Sequence, residues 1–131
     1  MLRVTKTIEY GLIAMRHINK QSNKLCSCKK IAAKYHIPPE ILAKTMQKLC
    51  KRGYLRAIQG PKGGYLLNKN LDSISLINFI EDIEGPVGLV GCSIDTSCDL
   101  IDFCNIKSPI KKINKNIRNL LNNVSLFEIT N

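Results

Sequence analysis

Residues 39–67, PEILAKTMQKLCKRGYLRAIQGPKGGYLL, decide the fold. Pro39 fits the first position of a helix and Gly53 its end, so the stretch predicts a helix running to about Arg52. Its buried stripe is apolar at helical spacing: Leu42, Met46 and Leu49. Tyr54 to Ile58 then predicts a strand, residues 59–64 a glycine-rich turn, and Tyr65 to Leu67 a returning strand.

Two helices are predicted before this stretch. Ser27 can cap a short helix from Cys28 to Tyr35, which must end before the Ile37-Pro38 pair because a residue preceding proline is pushed out of the helical region. Two short helices joined by a tight turn outline a helix-turn-helix, and a hairpin directly after it makes a winged helix. Further upstream, Thr5 to Asn19 is an amphipathic helix with a stripe of Ile8, Leu12, Met15 and Ile18.

Charge is divided unequally between the two halves of the chain. Residues 1–70 contain 15 Lys and Arg against two acids, a net charge of +13, whereas residues 71–131 contain five against eight, a net charge of −3. A basic N-terminal half predicts binding to a polyanion there. A compositionally Lys-rich surface is the alternative, but it explains the Lys count better than the asymmetry.

The candidate DNA-binding residues lie on the second helix and the hairpin. Lys44, Gln47, Lys48 and Lys51 recur at i, i+3, i+4 and i+7, a pattern that a merely solvated helix face also produces. The hairpin's glycines permit close approach to a phosphate backbone, where Arg56 and Lys62 supply charge. Gln59 at the turn and Lys30 on the preceding helix complete the predicted set.

The chain contains no run of about 18 apolar residues, and residues 1–19 mix charges among the apolar positions. This composition predicts a cytoplasmic protein without a membrane span or a signal peptide. Six cysteines in a reducing compartment favour metal binding or catalysis over disulfides.

Three cysteines, Cys92, Cys98 and Cys104, lie in a loop between two predicted helices, with five residues between each and the next. One helix spans Leu76 to Glu84, capped by Ser75 and ended by Gly85. The other is capped by Ser108, begins at Pro109, and has an apolar stripe that needs a partner such as a second copy of the chain. Its apolar tail, residues 126–129, can pack back on that helix.

The C-x5-C-x5-C spacing is loose for one tetrahedral zinc ion and suits a larger iron–sulfur cluster with one position left for another ligand. The spacing leaves the cluster type open, and of the two types we favour [2Fe–2S] over [4Fe–4S]. A structural zinc site in a constitutive DNA-binding module is the alternative. Cys50 fits a small buried residue, and neither Cys26 nor Cys28 has familiar metal-ligand spacing. An enzyme with a reactive cysteine is disfavoured because no His or Asn is recognisably paired with it, so no catalytic residue and no small-molecule substrate are predicted.

These residues resemble the Rrf-type family of winged-helix transcription regulators, of the IscR and NsrR kind. The resemblance is carried by the wing RAIQGPKGGYLL (56–67), by IEDIEG (80–85), by the three cysteines, and by VSLFEI (124–129). The sequence EGPVGLVGCS (84–93) is most similar to regulators of the SUF iron–sulfur assembly system.

The resemblance implies a homodimer on a double-stranded DNA operator, repressing iron–sulfur assembly genes in response to cluster status, redox state or nitric oxide. It implies that a carboxylate from the partner's first helix, here Glu9, can complete the cluster site, with a small exogenous ligand as the alternative. A carboxylate in a first helical turn is also explained by the helix dipole alone. Lys107 replaces a family histidine ligand, while Ala43 and Gln59 replace a glutamate and an arginine that help to select the operator.

The sequence therefore predicts a mainly α protein with a small β-hairpin wing. We expect a winged-helix DNA-binding domain at 1–84, a cluster-binding loop at 85–107, and a dimerisation helix with its tail at 108–131, all in one structural unit.

Overall fold

The computed structural model describes residues 4–21, 24–87 and 105–130. Its first three helices are α1 (Lys6–Lys20), α2 (Cys28–Tyr35) and α3 (Pro39–Lys51), and α2 and α3 form the predicted helix-turn-helix. The predicted α3 stripe of Leu42, Met46 and Leu49 is fully buried, and Thr45 extends it. In α1, Ile8, Met15 and Ile18 are buried as predicted, while Leu12 is only partly buried.

The helix ends follow from local hydrogen bonds. Thr5 Oγ1 accepts the Ile8 N–H at 3.4 Å and caps α1, and Ser27 Oγ accepts the Lys30 N–H at 3.1 Å, so the predicted Ser27 cap is formed. Between α2 and α3 the chain turns through His36, which is left-handed at φ 55°. The following Ile37 N–H donates to the Ala32 carbonyl at 2.9 Å, and this bond closes the end of α2.

The wing consists of two antiparallel strands, β1 (Leu55–Ile58) and β2 (Gly64–Leu67), in which Leu55 pairs with Leu67 and Ile58 with Gly64. It is joined to the helical body through the backbone of Cys26. The Cys26 N–H donates to Tyr65 at 3.2 Å, and the Tyr65 N–H donates back at 2.8 Å. The entry to α2 therefore extends the two-stranded sheet and sets the position of the wing.

A 3₁₀ turn (Leu71–Ser73) leads into α4 (Leu76–Glu84), and after the cysteine segment come α5 (Lys107–Asn122) and the short α6 (Leu126–Thr130). As predicted, the Ser75 side chain caps α4, and Gly85 ends it at φ 93°. The predicted Ser108 cap is wrong: α5 begins at Lys107, two residues before the predicted start at Pro109, and its first turn has no side-chain cap. Pro109 fits inside that first turn because its missing N–H would have had no intrahelical partner.

The core is built around α1, which packs against α3, α4, β2 and α6. Gly11 allows α4 to approach closely, since a Cβ there would lie 3.1 Å from Phe79 Cζ and 3.4 Å from Ile83 Cδ1. The tail returns to this body: the Leu126 N–H donates to Ile74 at 2.9 Å, and the Leu126 side chain is fully buried. Contact with α1 and the 3₁₀ turn makes α6 part of the N-terminal core.

No helix in the described ranges is long and apolar enough to cross a membrane.

Candidate nucleic-acid interface

The orientation of α3 about its own axis is fixed by its buried stripe. With Leu42, Thr45, Met46 and Leu49 turned inward, the opposite side presents Lys44, Gln47 and Lys51 to solvent. A helix that projects exposed donors and cations beside a hairpin has the shape and charge to enter the major groove.

Lys48 has a different environment from the other candidate residues of α3. Its ammonium group donates to the backbone carbonyl oxygen of Ile83, in the last turn of α4, at 3.3 Å. The structure therefore brings the Lys48 ammonium group to α4, although the residue as a whole is exposed like Lys44, Gln47 and Lys51.

The tip of the wing requires glycine at residue 63. A Cβ on Gly63 would lie 2.0 Å from the Ile58 carbonyl oxygen, so no larger residue fits the observed turn. The Gly63 N–H donates to Gly60 at 3.0 Å, and Gly60 has a φ of 114°, which favours glycine. This tight turn leaves the predicted wing residues Arg56, Gln59 and Lys62 exposed.

Lys30 lies exposed in the first turn of α2, at the helix end that also carries the positive end of the backbone dipole. Around it, Lys24 and Lys34 line the same surface depression as His17. Burial, and secondarily the charge of Lys34, lower the pKa of His17, whose Nδ1 lies 2.9 Å from the Tyr35 hydroxyl. This side of the helix-turn-helix is thus cationic as well.

The predicted metal ligands are divided between described and undescribed parts of the chain. Cys92, Cys98 and Cys104 lie outside the described residues. Glu9 lies in the first turn of α1 with its side chain 45% exposed, and it forms an ion pair with Lys6 at 3.0 Å. Its carboxylate is therefore accessible to another chain, and in this chain it is paired with the more exposed side chain of Lys6.

The three described cysteines are free thiols, and the structure does not gather them into a metal site. Within residues 4–21, 24–87 and 105–130, no group of three potential metal-ligating side chains occurs. Cys26 is buried in the core, and Cys28 and Cys50 pack against it as partly buried residues. Burial raises the pKa of each of these thiols, which disfavours the thiolate that metal binding needs.

Residues 85–87, which lead into the cysteine segment, are held by an ion pair that the sequence analysis did not identify. Arg118 of α5 donates to both carboxylate oxygens of Glu81, at 2.8 and 3.0 Å, and to the Val87 carbonyl at 3.1 Å. The Val87 N–H donates to the same carboxylate at 3.2 Å. The bond from Arg118 holds the pKa of Glu81 below its usual range. Because 37 residues separate the two partners, no local sequence signal predicts the pair.

One comparison with known proteins identifies the family of this chain. A family model described as Rrf2, iron-dependent transcriptional regulator, matches residues 4–131. The "Putative HTH-type transcriptional regulator" of Aquifex aeolicus (strain VF5) is 37% identical over 75 residues, which cover 57% of this chain and 52% of the relative. The match thus spans about half the length of that curated relative.

Two solved structures share the fold. CymR, the global cysteine regulator of B. subtilis, is 23% identical with a TM-score of 0.77, over 99% of this chain and 97% of that chain. T. potens IscR is 24% identical with a TM-score of 0.73, over 98% and 85% respectively. The predicted mainly helical winged-helix architecture is confirmed, as is the prediction of a regulator rather than an enzyme.

Proposed function

Since the chain belongs to the Rrf2 family of transcriptional regulators, we propose that it is a homodimeric repressor on double-stranded DNA that reports iron–sulfur status. The observation that carries the proposal is the exposed face of α3 beside the glycine-dependent wing, in a half of the chain with a net charge of +13. Such a face binds phosphates through counterion release and reads base edges with its polar side chains.

In this proposal, two elements divide the work of binding DNA. Lys44, Gln47 and Lys51 of α3 enter the major groove, while Arg56, Gln59 and Lys62 of the wing follow the adjacent backbone or minor groove. Lys30 contacts a phosphate from the start of α2, where the dipole adds to its charge. The operator lies upstream of iron–sulfur assembly genes, as proposed from the likeness to SUF regulators.

Dimerisation is proposed along α5. Ile106, Ile113 and Leu120 are seven residues apart and are 54%, 48% and 66% exposed. The intervening Ile110, Ile117 and Val124 complete an alternating four-three spacing. That spacing makes the seam of a two-helix coiled coil, so a second copy of α5 is the occupant that fits.

We assign one function to each of three segments of the chain: DNA binding to 1–84, cluster binding to 85–107 and dimerisation to 108–131. Cys92, Cys98 and Cys104 would supply three thiolates to a [2Fe–2S] cluster, and Glu9 of the partner subunit would supply the fourth ligand. The exposure of Glu9 supports this assignment, because a ligand donated across a dimer must be accessible in the single chain. Bound there, the cluster would supply a centre that oxygen or nitric oxide can modify.

Purification under anaerobic conditions tests the cofactor. We expect visible iron–sulfur absorption and about two irons per chain, with both lost in Cys92→Ala and retained in Cys50→Ala, the matched control. A colourless protein with about one zinc per chain and no iron would replace the cluster with the structural zinc site.

Salt-dependent DNA binding tests the interface. The slope of log affinity against log salt should fall by about 0.9 for each phosphate-contacting lysine removed, so Lys44→Ala with Lys51→Ala lowers it by about 1.8. Lys115→Ala, on α5, is the control and should leave the slope unchanged. If the α3 double variant retains the wild-type slope, α3 is not the DNA-binding helix.

A further inference from the structure

The last turn of α4 is a junction between four other parts of the molecule. Each of its four residues, 81 to 84, bonds to a different element. The four bonds are Arg118 of α5 to Glu81, Tyr54 before β1 to Asp82, Lys48 of α3 to the Ile83 carbonyl, and Thr5 at the start of α1 to Glu84, the last at 2.7 Å. Within the described residues, α3 and α5 thus meet on the same helical turn.

Lys48 lies on the flank of α3 that faces α4. At about 100° per residue, Lys44 and Lys51 are only about 20° apart, whereas Lys48 is turned about 60° from Lys51. That rotation brings it toward the side of Thr45, whose Cγ2 contacts the same Gly11 position as Phe79 and Ile83. The position of Lys48 on α3 therefore follows from which residues form the buried stripe.

The partner of Lys48, the Ile83 carbonyl oxygen, needs a hydrogen-bond donor from outside α4. The Ile83 carbonyl is among the last four of α4, which have no N–H partner within the helix. A cation is favoured there because the carbonyl end of a helix is negative, and Glu81, Asp82 and Glu84 add to that field. Both the hydrogen bond and the field therefore hold the Lys48 ammonium at α4.

We propose that Lys48 is a positioning residue that fixes α3 on α4, rather than a phosphate contact. Together with Arg118, it connects α5 to α3 through one turn of α4. This proposal rests on the proposed DNA binding by α3. Of the residues that the sequence assigned to DNA contact, it reassigns only Lys48.

The first test compares two single lysine deletions on one helix. Lys44→Ala should lower the salt slope of DNA binding by about 0.9. Lys48→Ala should keep the wild-type slope while weakening binding about three- to tenfold at every salt concentration, because the orientation of α3 is less well defined. A slope lowered equally by both variants would make Lys48 a phosphate contact and overturn the proposal.

The second test needs no DNA, so it separates this proposal from the proposed function. Amide hydrogen exchange in the last turn of α4 and in Gly85 should be several-fold faster in Lys48→Ala, unchanged in Lys44→Ala, and restored in Lys48→Arg, which retains a cationic donor. Exchange that is equal in Lys48→Ala and wild type refutes the positioning role, whether or not the protein binds DNA.

The connection to α5 is tested by a double-mutant cycle. Arg118→Met and Lys48→Ala should each weaken DNA binding, and the double variant should lose less than the product of the two fold-changes, because both act through one turn. Fold-changes that multiply would show two independent effects and would overturn the connection. Sedimentation at the same protein concentration establishes that each variant remains in the same oligomeric state.

Discussion

Replacing Tyr54 with Phe removes one oxygen atom from the contact between the residue that precedes β1 and α4. Tyr54 is 3% exposed, its ring centroid lies 5.7 Å from that of Phe79, and the ammonium of Lys69 lies 5.2 Å from the Tyr54 ring centroid. A phenylalanine keeps both ring contacts. What is lost is the hydrogen bond that the hydroxyl donates to the Asp82 carboxylate.

The expected cost is about 1.5 kcal/mol of unfolding free energy, the lower end for a bond to a charged acceptor, because the half-buried Asp82 regains some water. Tyr35→Phe is the matched control. Its hydroxyl is bonded to His17 at 2.9 Å, but the residue is 37% exposed, so we expect about 0.5 kcal/mol or less. Urea unfolding at one fixed protein concentration measures both variants.

The stability difference between wild type and Tyr54→Phe should depend on pH. Burial first, and then the hydrogen bond to Asp82 and its charge, raise the pKa of Tyr54 above its ordinary value. Below about pH 10 the Tyr54 phenol is protonated in both the folded and the unfolded protein, so its hydrogen bond contributes fully to the unfolding free energy. As the pH rises further, the phenol ionises first in the unfolded protein, and this contribution to stability is lost. The gap between wild type and Tyr54→Phe should therefore narrow from pH 8 to pH 11. Equal costs for the two Tyr variants, or a gap independent of pH, would refute the reasoning.

Three further variants probe other parts of the fold. Arg118→Met should cost about 1 kcal/mol of unfolding free energy at pH 7, since the Arg118 side chain is 38% exposed. It should also reduce the loss of stability in acid. Arg118 lowers the folded-state pKa of Glu81, so the stabilisation from this pair is present above about pH 4.3 and is lost as the pH falls through the folded-state pKa. Gly63→Ala, whose methyl would meet Ile58, should cost about 1–3 kcal/mol in urea unfolding and weaken DNA binding; unchanged affinity would remove the wing from the interface. Leu120→Glu should weaken dimerisation at least about 100-fold by sedimentation while leaving the monomer folded, and an intact dimer would exclude α5 as the seam.

Interactions between residues close in sequence were sufficient to predict most helix ends. The side chains of Thr5, Ser27 and Ser75 each accept the N–H bonds expected of a helix cap, and Gly85 takes the positive φ expected at the end of α4. These features involve groups within three or four residues of each other, so the residue types are sufficient to predict them. Ser108 was the exception, because Pro109 is compatible with several positions in a first turn.

The sequence by itself determined the winged helix, the exposed cationic α3 face and the requirement for glycine in the wing, since helical periodicity and turn chemistry are local. Only the tertiary structure decided that Lys48 bonds to Ile83, that Arg118 bonds to Glu81, and that Leu126 returns to Ile74. The partners in these pairs lie 35, 37 and 52 residues apart, and a Lys or an Arg has the same local pattern whichever partner it finds. Their pairing depends on how the helices pack, which is fixed by the buried surfaces of α1, α3 and α4 together.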